Sequence, residues 1–468
     1  MIRRETKTAR AWTRGALLAG VLAAALGMPT WAHAQAAWPE TERATVERIV
    51  AAARADHFAW DRLAELTDTF GPRLAGSPAL EAAIAWAERR MREDGLENVR
   101  LEKVMVPHWV RGQENASIME PFPAPLVMLG LGDSIGTRPE GLQAELLIVS
   151  SFEDLESRAG QVPGKIVLFN VPYTGYGETV RYRSSGASQA AKHGAAAILL
   201  RSVGLRGLRT PHTGALHYEE ALPKVPAAAI SVEDADRLQR IQDRGQRIVV
   251  RLTMGAHFLP DAESANVVGE ILGREAPEQI VLLGGHFDSW DVGTGAMDDA
   301  GGCIVTWDAL RILSKLGLRP RRTLRVVLFT NEENGLRGGR AYRDAHAAEL
   351  DRHLLALEVD GGVFRPEGFG FTGSTEARAV LERMAGLLTP IGAGTIGPHG
   401  GGADIDPSVR AAGLPAMSLS VEGSRYFLLH HTEADTVSEV DPDEVSLCVA
   451  SVAAMAYLLA EMPEPLPR

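Results

Sequence analysis

Ile280–Asp299 reads IVLLGGHFDSWDVGTGAMDD. Its opening run, Ile280 to Gly285, is apolar without alternation and of strand length, the pattern of a strand covered on both faces. Strands of that kind belong to α/β folds with largely parallel sheets, which keep their sites at the carboxyl ends of the strands. His286 stands at such an end. Asp288, two residues on, is placed to accept the proton on the second imidazole nitrogen and so fix the ring. The stretch closes in a turn of small residues, Gly295 to Gly302, that opens a helix with Cys303, Trp307, Leu310 and Leu313 at helical spacing.

Working outward, Thr323–Asn331 (TLRVVLFTN) is a second strand-like run, and it ends in Glu332-Glu333. A third, Leu354–Val359, ends at Asp360, and HHTEADT after Tyr426 offers His431, with Asp435 placed to hydrogen-bond within its loop. Singly these residues are ordinary: a strand-end His is usually a hydrogen-bonded one, a Glu pair is usually solvated, and Asp at a helix start is commonly an N-cap. In order along successive strand ends they form the donor set of a co-catalytic pair of zinc ions. Such a pair needs one carboxylate shared by both ions, a His and a further carboxylate for each, and a nearby base that is not a ligand. The small-residue turn lets backbone approach an ion closely, so Asp298 is the shared carboxylate. Two cations also remove the repulsion between Glu332 and Glu333, leaving Glu333 as ligand and Glu332 as base. The chemistry implied is metal-assisted hydrolysis of an amide, and the sequence has no Gly-x-Ser-x-Gly elbow for a serine hydrolase.

The residues His286-Phe-Asp288, Ala296-Met-Asp298-Asp299, Asn331-Glu332-Glu333, Glu358-Val-Asp360-Gly361-Gly362 and His430-His431-Thr-Glu-Ala-Asp435-Thr resemble the co-catalytic zinc aminopeptidase and carboxypeptidase superfamily. Within it the chain is most similar to the carboxypeptidase Q branch, through SWDVGTGAMDD, GLRPRRTLRVVL, SVRAAGLPAMSL and the segment Arg201–Gly214. The resemblance implies one zinc on His286, Asp298 and Asp360 and another on Asp298, Glu333 and His431, with Glu332 as general base and Asp288 behind His286. It selects His431 over His430 and implies a cis peptide between Asp298 and Asp299. Hydrolysis then proceeds by water activated at the metals, without a covalent intermediate. Relatives act on dipeptides with free ends, so the expected activity is that of a short-peptide exopeptidase. A broader aminopeptidase, a non-catalytic binding scaffold of the same fold and a single-zinc acyltransferase of the glutaminyl cyclase type are the alternatives.

Residues 1–34 read as an export signal: Arg3, Arg4, Lys7, Arg10 and Arg14 precede the apolar run Gly15–Met28, followed by Ala32-His33-Ala34. The run is short of the 18 or so residues that span a bilayer. No Cys follows it, which removes a lipoprotein, and the Arg3-Arg4 pair lacks the hydrophobic residues that twin-arginine export expects just after it. A periplasmic or secreted protein is expected. Formal net charge is -12, and the leader is itself basic, so the remainder is more acidic still. That balance disfavours nucleic acid and anionic membrane surfaces as partners. Only Cys303 and Cys448 are present; both fall in predicted apolar helices, as buried free thiols rather than a bridge.

The fold expected is α/β: a mixed, largely parallel sheet with helices on both faces, of zinc exopeptidase type, split by a smaller inserted α+β domain. Residues 38–130 open the peptidase domain, with Ser77-Pro78 as a cap and first position of a helix ending at Gly95. Residues 131–255 turn to short Gly- and Pro-punctuated strands, at 165–170, 196–200, 227–231 and 247–254, with helical stretches at 186–193 and 232–243. This resembles a protease-associated insert. Residues 256–468 resume strand and helix alternation to a final amphipathic helix over 445–462. For substrate, Arg181 and Arg183 are candidates for a terminal carboxylate and Asp404 for a free amine, while the loop 400–406 and Tyr426 line the cleft by resemblance. Partners expected are a short peptide and, by resemblance, a second copy of the chain, with no membrane contact once the signal is removed.

Overall fold

Ile280, Val281, Leu282 and Leu283 are all at most 2 % exposed, as an unbroken apolar run enclosed on both sides must be. The computed structural model describes residues 40–468; the signal expected over 1–34 lies outside them. In chain order the strands are β1 (Glu97–Val110), β2 (Glu114–Glu120), β3 (Ala124–Leu126), β4 (Met128–Gly130), β5 (Leu142–Val149), β6 (Ile166–Phe169), β7 (Ala197–Arg201) and β8 (Ala227–Ile230). They continue as β9 (Val249–Met254), β10 (His257–Ile271), β11 (Ala276–His286), β12 (Arg322–Phe329), β13 (His353–Glu358), β14 (Pro366–Thr372), β15 (Ile396–Pro398) and β16 (Ala416–Val421).

Eight of them form the larger sheet in the order β1-β10-β12-β11-β13-β16-β14-β15. Its centre, β12-β11-β13-β16, is parallel. β10 runs antiparallel to β12 and β1 antiparallel to β10, and β14 joins β16 antiparallel. The sheet is mixed, and its buried strands include the parallel β11, β12 and β13 and the second half of the antiparallel β10. Val268, Leu282, Val327 and Phe329 pack with Tyr342 of the helix Arg337–Ala345 and with Ile405 beside the helix Asp406–Ala412. Gly285, pointing to the opposite side, approaches the helix Gly301–Lys315 at Cys303, so helices cover both faces. The last helix, Pro442–Glu461, is apolar enough to cross a membrane by length and composition, yet 78 % of its most apolar 18-residue stretch is buried inside the fold. Asp441 caps it, accepting from Asp443 and Glu444 N–H, and Ser77 caps Pro78–Glu93 as its sequence predicts.

The other eight strands make a second sheet, β3-β2-β9-β5-β6-β7-β8-β4, with the helix Val232–Asp243 packed on one face. We call this the second lobe. It begins earlier than the composition change at 131: β2 pairs with β9 and β4 with β8, so chain from Glu114 belongs to it. The lobe lies between β1 and β10, whose ends face each other at Val110 and His257. Cys303 and Cys448 are buried free thiols.

Candidate active site

His286 is delivered by the end of β11. Its Nδ1 faces the backbone carbonyl of Asp288 at 3.0 Å, which fixes a ring proton on that nitrogen and aims Nε2 at the carboxylates. The Asp288 carboxylate, expected to do this, stands 3.9 Å away. It accepts the backbone N–H groups of Glu332 and Glu333 instead, at 3.0 and 3.3 Å, and so shapes the loop that follows β12. The small-residue turn brings backbone together closely: a Cβ on Gly302 would lie 2.0 Å from the Val359 carbonyl, and one on Gly285 2.4 Å from the Asp299 carboxylate. Asp298 and Asp299 are joined by a cis peptide. Asp299 turns inward to accept from His286 N–H and Gly302 N–H, and Asp298 turns toward the cavity.

The four key separations are alike. His286 Nε2 lies 3.2 Å from Asp298 Oδ1 and 3.3 Å from Asp360 Oδ1. On the other side of the same carboxylate, His431 Nε2 lies 3.2 Å from Asp298 Oδ2 and 3.1 Å from Glu333 Oε2. Asp435 bonds within its loop through its N–H, to the Thr432 carbonyl at 3.3 Å, while its carboxylate holds Asp298 from behind, accepting the N–H groups of Met297 and Asp298 at 2.7 and 3.1 Å. His431 takes φ 61° and is gripped by Thr213 of the second lobe, whose N–H donates to the His431 carbonyl at 2.9 Å. The Thr213 carbonyl and Arg183 Nη1 both face His431 Nδ1, at 3.3 and 3.2 Å, and hold the ring with Nε2 toward the carboxylates.

These residues fit metal ions. Tetrahedral zinc with bonds of about 2.0–2.1 Å sets neighbouring donor atoms roughly 3.3 Å apart, longer than the usual hydrogen bond and close to all four separations. Asp298 Oδ2 and Glu333 Oε1 are buried without a hydrogen-bond partner; the 3.2 Å approach of His431 Nε2 to Asp298 Oδ2 lacks hydrogen-bond alignment. His286 with Asp298 and Glu333, and Asp298 with His430 and His431, each converge tightly enough to surround an ion. The electrostatics agree. Burial opposes charge on both imidazoles, but Asp298 and Asp360 outweigh it at His286, and Glu333 and Asp298 at His431, holding both well above their ordinary range. A site that draws protons so strongly is one that a cation relieves. Burial, then the carboxylates of Asp360 and Glu333, push Glu332 upward as well.

A cavity of about 670 Å³ opens over these groups, lined by Asp298, Glu332, Glu333, Asp360 and His431 from the larger lobe and by Tyr176, Arg183 and His217 from the second. Residues 266–456 match the model of peptidase family M28. Carboxypeptidase Q of Mus musculus is 47 % identical over 87 % of this chain and 87 % of its own length. The chain belongs to the carboxypeptidase Q family. A peptidase M28 precursor from Shewanella amazonensis superposes with a TM-score of 0.88 at 36 % identity, over 92 % of this chain and 98 % of that one. A zinc aminopeptidase from Bacillus subtilis, 20 % identical over 87 % of this chain and 98 % of its own, shares the fold with a TM-score of 0.65. This carboxypeptidase Q family member is thus a metallopeptidase.

Other residues singled out in the sequence fall on both sides of the cavity wall. Tyr426 lines it, its phenol pushed well up by burial and by Asp298 and Asp360. Arg183 lines it too, bound to Tyr176 Oη at 2.8 Å and beside His431 Nδ1 at 3.2 Å. Arg181 lies outside: it donates to Tyr182 Oη and stacks on Phe152, because positions two apart on one helical turn point to opposite sides. Asp404 and the loop 400–406 are not among the lining residues either. Asp404 is 1 % exposed, and its N–H, with that of Ile405, is turned to the buried Glu358 carboxylate. Two contributors went unnamed. Arg73, fully buried, donates to the carbonyls of Phe287 and Thr294 and braces the loop after His286. Thr213 sits in the Arg201–Gly214 segment, whose family likeness was the signal available.

Proposed function

We propose that this metallopeptidase is an exported, two-zinc exopeptidase of short peptides with free termini, dipeptides foremost. The observation that carries the reading is Asp298: its two oxygens face two imidazole Nε2 atoms, of His286 and His431, each at 3.2 Å. His286, Asp298 and Asp360 would hold one zinc, and Asp298, Glu333 and His431 the other. Zinc bound there supplies Lewis acidity, lowering the pKa of a water it holds and polarising a carbonyl. Glu332, in the cavity wall but outside both donor sets, takes the proton from the attacking water and returns it to the departing amine. Tyr426 presents a phenol that stays protonated and can donate to the substrate. Arg183 offers its fork to the terminal carboxylate, a role supported by its position in the wall. The second lobe is read as a protease-associated insert on the strength of its place between β1 and β10. The basic and apolar leader supports export, and the acidic remainder supports a protein with neither nucleic-acid nor membrane partners; assembly as a homodimer is carried over from the family.

The test pairs elemental analysis with a four-substrate panel: a dipeptide, its N-acetyl form, its C-amide and a tetrapeptide. Two zinc per chain are expected, with kcat/KM highest for the dipeptide and about a hundredfold or more lower for either blocked form, since a buried group left unpaired discriminates strongly. Preference for the tetrapeptide and indifference to the C-amide would favour the aminopeptidase alternative. Less than one zinc per chain overturns the proposal.

A further inference from the structure

His212 is an imidazole at the active site that does not reach the cavity. It is 2 % exposed. Its Nδ1 lies 2.7 Å from the backbone carbonyl of His430, and because a carbonyl only accepts, that nitrogen carries the ring proton. Its Nε2 is buried with no partner, and the ring sits so close over Gly204 that a Cβ there would fall 2.3 Å from it. An enclosed imidazole satisfied on one nitrogen alone is unfavourable to bury. An apolar side chain would fill the same space without that penalty, so the single bond to His430 is what the residue contributes.

The carbonyl it holds occupies a sensitive place. Tyr426–Leu429 is one short turn of helix, and His430 leaves it at φ -44° and ψ 120°. His431 follows at φ 61°, a left-handed conformation that L-residues seldom adopt without outside support. Rotation of the peptide plane between the two residues would move the His430 carbonyl and re-aim the His431 side chain together. Thr213 N–H fixes the far side of His431 through its carbonyl, and Leu205 N–H fixes Phe427 at 3.2 Å. Between these anchors, His212 is the side chain that grips the plane itself.

We propose that His212 is a positioning residue for His431: by donating to the His430 carbonyl it holds the left-handed turn that aims His431 Nε2 at Asp298 and Glu333. The inference rests on the reading of His431 as a metal ligand. It touches neither substrate nor ion and acts only through backbone. It also gives the second lobe a part in the zinc site beyond closing the cavity, because His212 and Thr213 both belong to that lobe.

Three variants test it: His212→Asn, whose amide N–H occupies the place of Nδ1–H, His212→Gln, whose amide is one carbon further out, and His212→Leu, which has no donor. The first measurement needs no metal: amide hydrogen exchange of residues 426–432 in chelator-stripped protein. Exchange there is expected to rise about tenfold in the Leu and Gln variants and to stay within about threefold of the parent in Asn, while the helix Pro442–Glu461 is unchanged in all. The second is zinc release into excess chelator, where one of the two ions is expected to leave about tenfold faster or more in Leu and Gln but not in Asn. Parent-like exchange and release in the Leu variant, or identical behaviour of Asn and Gln, overturns the proposal. If the Leu variant does not fold, the Asn and Gln pair carries the same contrast. A parent protein that binds no zinc would instead overturn the reading of His431 as ligand, and the metal-free exchange measurement would still decide whether His212 holds the segment.

Discussion

The carboxylate of Asp288 accepts the backbone N–H of Glu332 at 3.0 Å. It therefore acts on Glu332 by fixing the strand-end loop, while His286 is oriented by the Asp288 carbonyl, an atom that no substitution removes. Asp288→Ala should leave His286 oriented and free the Glu332–Glu333 loop. The expected outcome is a fall in kcat of about 10–100-fold, the range for lost support around a metal site, with KM within a few-fold of the parent. Asp288→Asn, which keeps one accepting oxygen, should lose less. Steady-state kinetics on a dipeptide, with zinc content measured in parallel, checks both.

Glu332→Gln should retain two zinc and lose turnover by about 10²–10⁴-fold, the usual contribution of a general base. Elemental analysis of the purified variant decides the assignment. Loss of an ion together with activity would make Glu332 a ligand.

Arg183→Met should erase discrimination at the carboxyl end of the substrate. A charged hydrogen bond is worth about 1.5–3 kcal/mol, so kcat/KM for the dipeptide should fall about 10–100-fold while that for its C-amide stays near the parent value. Equal losses on both substrates would show that Arg183 acts on His431 or Tyr176 instead.

Asp56 sits before the helix Phe58–Phe70 and joins it to Gly301–Lys315. Its carboxylate accepts from Arg311 and Lys315, each at 2.9 Å, and from Phe58 N–H at 3.0 Å. Burial alone would raise its pKa, but the bonds from Lys315 and Arg311 outweigh it and bring it to about 2. A carboxyl depressed on folding stabilises the native state above its unfolded pKa, and that contribution is lost as pH falls from about 3.8 toward 2. Asp56→Ala should lower stability by about 1 kcal/mol at neutral pH, as loss of a partly exposed ion-paired carboxylate does. The gap between variant and parent should close across that acidic window, as followed by urea unfolding at stepped pH.

Much of the site was legible because its residues end apolar runs. β11, β12 and β13 are enclosed on both faces, so their sequences announce them, and His286, Glu332, Glu333 and Asp360 follow directly. The strands from Glu97 to Gly130 were not announced: β1 has the alternation of a half-covered strand only in part, and Pro107 interrupts it, as an edge strand tolerates. Side-chain direction was equally hidden. Neither the choice between carbonyl and carboxylate at Asp288 nor the inward turn of Asp404 leaves any mark on spacing. His212 meets His430 across 218 positions, a pairing that only the folded chain creates.

Val110 and His257 are cross-strand neighbours, and beyond them Gly112 and Gly255 pass so closely that a Cβ on Gly112 would lie 2.7 Å from the Gly255 carbonyl. A gene in which residues 111–256 are replaced by a two-residue turn would therefore preserve every ladder of the larger sheet, and with it His286, Asp298, Glu333, Asp360 and His431. It would also strip His431 of its grip on both sides. The excision is topologically permitted, yet it would leave the turn at His431 unheld: the larger sheet can close without the second lobe, but His431 cannot be anchored without it.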